Sequence, residues 1–241
     1  MTENLSVEER FKNIEYNLAL INEQIAASAQ KSGRRREDIK LMAVTKTVEP
    51  VFINHAIKCG IDLIGENKVQ EFLSKREYLR LENCDAHLIG HLQTNKVKQI
   101  IPFVSMIQSL DSAKLAAEIE KQSEKLEKVV DCLIEVNVGD EENKTGIPFD
   151  QVMPLIEKIS EMRHVKVKGL MAVPPICEER SQLSKYFEKM HHLFVDISGQ
   201  NIDNISMCIL SMGMSGDFNE AILSGANMVR VGSLIFGPRM Y

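Results

Sequence analysis

From the seventh residue the apolar positions Val7, Phe11, Ile14, Leu18, Ile21 and Ile25 recur in alternating steps of four and three. That spacing draws one apolar stripe along a long helix. Ser6 and Glu9 form a capping box at its start, where the hydroxyl and the carboxylate each satisfy an orphan backbone N–H. The same spacing suits a coiled-coil seam, but it spans fewer than three heptads, short for one. The helix is therefore read as packed against its own domain, with a dimer seam as the alternative.

After Gly33 the pattern changes to short β-rich apolar runs, each followed by a helical stretch: 39–46, 62–65, 86–92, 104–109, 130–138, 165–173, 206–212 and 228–236. The segments between them, such as Ser112 to Lys128 and Ser181 to Val195, are long enough for crossover helices, so the strands are expected to run parallel. No linker, low-complexity tract or shift of composition divides the series. The pattern predicts an α/β chain, a single (β/α)8 TIM barrel over 1–241, with 1–32 as an extra N-terminal helix packed on it. A doubly wound open sheet is the alternative. In a barrel, chemistry belongs at the C-terminal ends of the strands and in the loops that follow.

Composition narrows the class. The chain has 241 residues, 44% of them hydrophobic, enough for a sizeable core. Its net charge of −5 exerts no long-range pull on nucleic acid or anionic lipid. Arg34-Arg35-Arg36 is the one basic run, and Glu37 and Asp38 follow at once, so it is read as a solvated loop. The N-terminus, MTENLSVEER, has neither the basic start nor the apolar core of a signal peptide, and no apolar run approaches ~18 residues. Five cysteines, at 59, 84, 132, 177 and 208, are odd in number and lack any CxxC, which fits buried thiols in a reducing cytoplasm. Triplets such as Asn143-Lys144-Thr145 then imply no glycan.

Two charged residues stand out because they interrupt apolar strands. Lys46 closes the first run, AVTK, and alternation places it on the face of Met42 and Val44, opposite Leu41, Ala43 and Thr45. If that face is the barrel interior, Lys46 sits at the mouth; taken alone, a strand-end lysine is a snorkelling surface group. Arg230 lies inside the last run, MVRVGSLIF, and a buried guanidinium needs a partner. That partner is either Glu135, mid-strand in LIEVN, or a ligand.

Between these strands SMGMSGDFNE turns through glycines into a helix, where Asp217 and Glu220 read as a capping box. Glycines let backbone amides approach an anion, and the loops after strands seven and eight are where barrels commonly hold phosphate. Gly232 and Ser233 supply the second half of such a cup. A phosphate cup facing an inward lysine suits a phosphorylated aldehyde, held by its tail while the amine meets its head. A lysine of pKa ~10.4 is protonated at neutral pH, and a desolvated mouth beside Arg230 would lower that value.

The runs AVTKTVEP, GENKVQEF, HLIGHLQTNK, NKTGI, KGLMAVPP, LSMGMSGDFNEAI and VRVGSLIFGPRMY resemble the pyridoxal phosphate homeostasis proteins, small relatives of the N-terminal barrel of alanine racemase. The likeness runs from about Leu41 to Tyr241. It implies pyridoxal 5'-phosphate as cofactor, with Lys46 as the Schiff-base lysine. It further implies phosphate contacts from Ser211, Gly213 and Met214 and from Gly232 and Ser233, with Arg230 facing the pyridine nitrogen. Asn67, His91 and Lys144 are motif positions expected near the mouth. The implied role is that of an intracellular carrier or buffer of the cofactor, with cofactor-dependent apoenzymes as acceptors, and not an efficient enzyme. Racemases of this type carry a C-terminal domain whose tyrosine is the second catalytic base, whereas this sequence ends at Tyr241; lacking that base typically costs ~10²–10⁴-fold. The absent domain also removes one dimer interface, so a monomer is expected, with no nucleic acid or membrane partner. A low-activity racemase or lyase, and a sugar-phosphate isomerase without the cofactor, are the alternatives.

Other residues offer little. His87 and His91 share a face of the third run, but four residues at ~3.3 Å separate them by about 13 Å, too far to share a metal. His191 and His192 lie on two faces of a helix, and no Walker, G-x-S-x-G or G-x-G-x-x-G sequence occurs.

Overall fold

The computed structural model describes residues 5–141, 144–177 and 179–238. Asn143, and with it the start of NKTGI and the triplet named above, lies outside the described residues, as do 239–241, which include Tyr241. Eight parallel strands form the barrel: β1 Lys40–Val44, β2 Leu63–Glu66, β3 Asp85–Leu88, β4 Met106–Leu110, β5 Val130–Asn137, β6 Val165–Met171, β7 Ile205–Ser211 and β8 Met228–Val231, and a two-residue strand, Ile147–Pro148, pairs with the end of β5. Each pairs with the next, and β1 pairs with β8 through Met42 opposite Arg230, so the sheet closes on itself. The expected (β/α)8 barrel is the fold.

Around it lie α2 Pro50–Lys58, α3 Val69–Lys75, α4 Val97–Ile100, α5 Ala113–Lys125, α6 Val152–Ser160, α7 Arg180–Ser198, α8 Phe218–Leu223 and α9 Ser233–Phe236, preceded by α1 Val7–Lys31. Among the described residues no helix is long and apolar enough to cross a membrane.

α1 starts at the Ser6–Glu9 capping box and buries Ile14, Leu18, Ile21 and Ile25. It packs on α2, α8 and α9, so the stripe serves the chain's own fold. Val7 is exposed, and the buried stripe therefore starts at Ile14. Period-2 alternation holds along β1, while register shifts interrupt the pairing of β4 with β5, β5 with β6 and β6 with β7. Leu41 and Ala43 pack outward against the helices in the main core, whereas Met42 joins Leu63 and Met228 in a separate apolar layer inside the sheet. A second interior layer holds Met106, Leu133 and Met171.

Several boundaries differ from the sequence pattern. The last apolar run is strand only to Val231; Gly232 ends it and Ser233–Phe236 is a helical turn. The third strand ends at Leu88, so His91 lies in the following loop and does not share a strand face with His87. The basic run is not simply solvated. Arg34 reaches back toward the end of α8 and donates to the carbonyl of Ile222 in that helix and to the carbonyl of Ala226 just beyond it. Arg36 donates to Ile39 O at 2.6 Å and to Asn22, and only Arg35 is left largely in water, beside Asp38. The cysteines are all free, yet Cys59 and Cys208 are exposed where buried thiols were expected.

Candidate functional site

A cavity of about 980 Å³ opens at the C-terminal ends of the strands. Val44 and Lys46 reach it from the end of β1, Asn67 from β2, Ile89 from β3, Val173 from β6, Arg230 from β8, and Met214, Ser215, Gly216, Gly232 and Ser233 from the last two loops. α1 supplies Arg10, Asn13, Ile14 and Asn17 to its wall. Lys46 is half-buried and follows Met42 and Val44 on the interior face, as the alternation required.

The strand end that carries Lys46 is held on both flanks. Lys75, buried on α3, donates to the carbonyl of Thr45 at 2.8 Å. It is ion-paired with the buried Glu66 and with Glu71 at 3.1 Å. Thr45 Oγ1 donates to Glu66, and Glu71 accepts the N–H of Thr47. Burial pushes the Glu66 carboxyl up, and the Lys75 ammonium opposes that rise. Thr47 sits at φ 63°, a left-handed conformation that a β-branched residue adopts only when its neighbours impose it. The peptide units on either side of Lys46 are thus tied to α3.

Arg230 lines the cavity but is only 4% exposed. Its Nη1 donates to Ser211 Oγ at 2.7 Å and its Nη2 to Ala172 O at 3.0 Å. Ser211 in turn donates to Gln108 Oε1 at 2.8 Å, and Gln108 Nε2 lies 2.9 Å from His87 Nδ1. A continuous chain of polar groups therefore crosses the barrel interior from β8 to β3. Burial, with Lys40 adding to it, brings His87 down to about 4, so the imidazole is neutral and Nδ1 accepts from Gln108. Burial also lowers Arg230, to about 10, against the pull of Glu135 and Asp217. Glu135 forms no ion pair with Arg230 among the described residues. Its Oε1 accepts from Thr145 Oγ1 at 2.6 Å, and burial raises its carboxyl.

The last two loops meet at one bond. The Gly232 N–H donates to Ser215 Oγ at 3.3 Å. Gly232 lies so close to β1 that a Cβ there would meet Val44 O at 3.2 Å. Gly213 holds φ 93°, and a Cβ on it would come within 2.6 Å of Ala221 Cβ; the turn needs glycine on both counts. Asp217 does not close a capping box with Glu220. Its carboxylate accepts the Met214 N–H, burial raises it, and Glu220 pairs with Arg180 at 3.0 Å instead.

Of the residues expected at the site, Lys46, Asn67, Met214, Arg230, Gly232 and Ser233 line this cavity. Ser211 is fully buried behind Arg230, and the Gly213 carbonyl accepts the Arg230 N–H at 3.0 Å. His91 pairs with Asp111 at 3.4 Å and Lys144 with Glu141 at 2.6 Å; neither is among the residues lining the cavity. Ser215 was missed, although it lies in the same SMGMSGD turn.

The lining can hold a small anion with a reactive carbonyl. Arg10, Lys46 and Arg230 supply positive charge, and the glycine turns bring backbone close to the space. Asn67 Oδ1 is buried with no partner among the described residues, an acceptor left for a ligand donor.

Comparison with known proteins bears on the same residues. The family model described as "Alanine racemase, N-terminal domain" matches residues 16–240. A "Pyridoxal phosphate homeostasis protein" of Aquifex aeolicus is 43% identical over 224 residues, 93% of this chain and 97% of that protein. Among solved structures, an unknown protein from Bifidobacterium adolescentis superposes with a TM-score of 0.91 at 31% identity, covering 96% of this chain and 98% of that one. PipY of Synechococcus elongatus, solved with PLP bound, has a TM-score of 0.82 at 27% identity, over 93% of this chain and 100% of its own.

Proposed function

The chain belongs to the family of the alanine racemase N-terminal domain and, within it, to the pyridoxal phosphate homeostasis proteins, and from that premise we propose that it binds pyridoxal 5'-phosphate and serves as an intracellular carrier or buffer of it. The single observation that carries the proposal is that Lys46, Arg230 and the two glycine turns line one cavity.

The fit to this ligand is good on three counts. The lining is cationic through Arg10, Lys46 and Arg230, as a phosphate ester requires. The turns joined by the Gly232–Ser215 bond have no side chain at Gly216 or Gly232 to block an oxyanion. The orphan Asn67 Oδ1 is ready for a donor on the ring. When bound, the cofactor supplies a reactive aldehyde and an electron-accepting ring.

In this reading Lys46 would hold the cofactor covalently and reversibly through its aldehyde, with water released. Ser215, Met214, Gly232 and Ser233 hold the phosphate, with Gly213 setting the turn. Arg230, fixed from behind by Ser211, would be the group beside the ring nitrogen, where its charge would disfavour protonation and weaken the electron sink. That arrangement suits storage of a reactive aldehyde better than carbanion chemistry, and reversibility of the attachment leaves the cofactor transferable to apoenzymes.

The test is intact-mass analysis after borohydride reduction of the protein incubated with the cofactor, followed by peptide mapping. One reduced adduct at Lys46, absent from Lys46→Ala, is expected. An adduct mapping elsewhere with Lys46 unmodified overturns the assignment. α-Proton exchange of amino acids in D₂O well above that given by free cofactor would overturn the carrier role in favour of an enzyme.

A further inference from the structure

On the outside of the barrel, away from the cavity described above, α1 crosses α2 with an imidazole, a thiol and a carboxylate converging at the contact. His55 and Cys59 are four residues apart at the end of α2, so they project from one helix face. Glu15 comes across from α1, and its Oε1 lies 3.0 Å from His55 Nε2. The donor atoms of all three residues lie within 4.8 Å of one another, the only such group of histidine, cysteine and acidic side chains among the described residues.

The His55 ring does not depend on Glu15 for its orientation. It stacks on Phe11, with centroids 4.0 Å apart and planes inclined by 7°, so packing against α1 fixes the ring with its Nε2 beside Glu15. A plain His–Glu ion pair needs no thiol beside it. The other exposed cysteine, Cys208, makes a different contact, with the Lys168 carbonyl at 3.3 Å.

We infer that Glu15, His55 and Cys59 form a binding site for a divalent cation of the zinc class. Thiolate, imidazole and carboxylate are the donors zinc takes, at about 2.0–2.3 Å, which places ligand atoms of a tetrahedral site roughly 3.3–3.7 Å apart. The carboxylate and imidazole are already close to that spacing. The thiol, exposed at the end of α2, lies within 4.8 Å of both and closes the remaining gap when the ion binds. Three protein ligands leave the fourth position to solvent. Thiolate and carboxylate together neutralise the dication, and the thiol proton passes to solvent on binding.

Such an ion ties α1 to α2. Because Asn13, Ile14 and Asn17 of α1 line the cavity wall, occupancy stiffens the element that closes it. The site stands independently of what the cavity binds.

The experiment uses the full chain stripped of metal with a chelator, then titrated with Zn²⁺ by calorimetry and with Co²⁺ by absorbance. One equivalent is expected to bind, with a thiolate-to-cobalt charge-transfer band. Cys59→Ser removes the band, whereas Cys208→Ser keeps it. Glu15→Gln and His55→Gln weaken Zn²⁺ binding by at least about 10–100-fold, the loss seen even for outer-sphere partners. Zn²⁺ raises the melting temperature of the wild type and leaves that of Cys59→Ser unchanged. The variants are compared in chelator first, where equal melting temperatures show that the fold is intact; Cys59→Ala replaces any that differs. A band that persists in Cys59→Ser, or wild-type binding no tighter than about 1 mM, overturns the assignment.

Discussion

Arg230 Nη1 donates to Ser211 Oγ at 2.7 Å, and the same hydroxyl donates onward to Gln108 at 2.8 Å. One small side chain therefore serves as both acceptor and donor inside the barrel, aligning a guanidinium that lines the cavity. Replacing it with Ala leaves both Arg230 Nη1 and Gln108 Oε1 short of a partner in a buried place. The expected loss is about 1–3 kcal/mol, the usual cost of a buried unsatisfied group. Ser211→Thr keeps the hydroxyl and should recover part of the loss. Urea denaturation measures the stability change, and cofactor titration should show weaker binding in Ser211→Ala alone. Equal midpoints for Ala and wild type would mean that the serine does not hold the arginine.

Lys75 and Glu66 form a buried pair beneath the Lys46 loop. Removing one partner strands the other charge, which typically costs about 3–5 kcal/mol. Lys75→Met should therefore be strongly destabilising, while Glu66→Gln keeps an acceptor for Thr45 and should cost less. The double variant is expected to be more stable than the sum of the single losses predicts, and a double-mutant cycle in urea measures that coupling. Strict additivity would count against a shared network.

Much of this was legible in the sequence, and the exceptions have physical reasons. Period-2 alternation put Lys46 on the interior face because Met42 and Val44 precede it at steps of two, and the structure has Met42 inside the barrel. Arg230 betrayed itself as a charge among buried apolar neighbours. Its partner could not be read in the same way. Glu135 was the side-chain alternative to a ligand, yet the arginine meets Ser211 and Ala172 because strand order, not sequence, sets who faces whom. Glu66 was a comparable signal, a carboxylate closing the apolar LIGE strand, but its lysine comes from α3 and no local pattern announces that pairing. The Asp217–Glu220 spacing matched a capping box, and competition from the nearby Met214 N–H won instead. The zinc-type cluster went unnoticed because its third donor, Glu15, is forty residues from His55.

Glycine substitutions separate backbone need from empty space in the SMGMSGD turn. Gly213 has φ 93° and a Cβ there would lie 2.6 Å from Ala221 Cβ, whereas a Cβ on Gly216 meets nothing within 4 Å. Gly213→Ala should cost about 1–3 kcal/mol from backbone strain, with the clash adding to it. Gly216→Ala should fall within about 0.5 kcal/mol of wild type. Thermal melts of the two variants check this, and similar melting temperatures would show that the turn tolerates a side chain at both places.

The interior chain of polar groups also gives the protein a sensitivity to acid. His87 titrates at about 4 in the fold because burial disfavours its charge, against an ordinary value of 6.5. Between those values the unfolded chain binds a proton that the folded chain does not, so this contribution to stability is present above about pH 6.5 and is lost as pH falls toward 4. The difference of about 2.5 pH units corresponds to roughly 3 kcal/mol at most. Glu66, Glu135 and Asp217 act in the opposite sense, since burial raises each carboxyl and the folded state then binds protons more readily. The net profile of the wild type mixes both effects, and a variant is needed to isolate the histidine. His87→Gln supplies a neutral acceptor for Gln108 and removes the titration. Urea midpoints measured from pH 7.5 to 4.5 should fall more steeply for wild type than for His87→Gln, the gap opening below about pH 6.5. Parallel profiles would mean that His87 accepts its proton without disturbing the chain to Arg230.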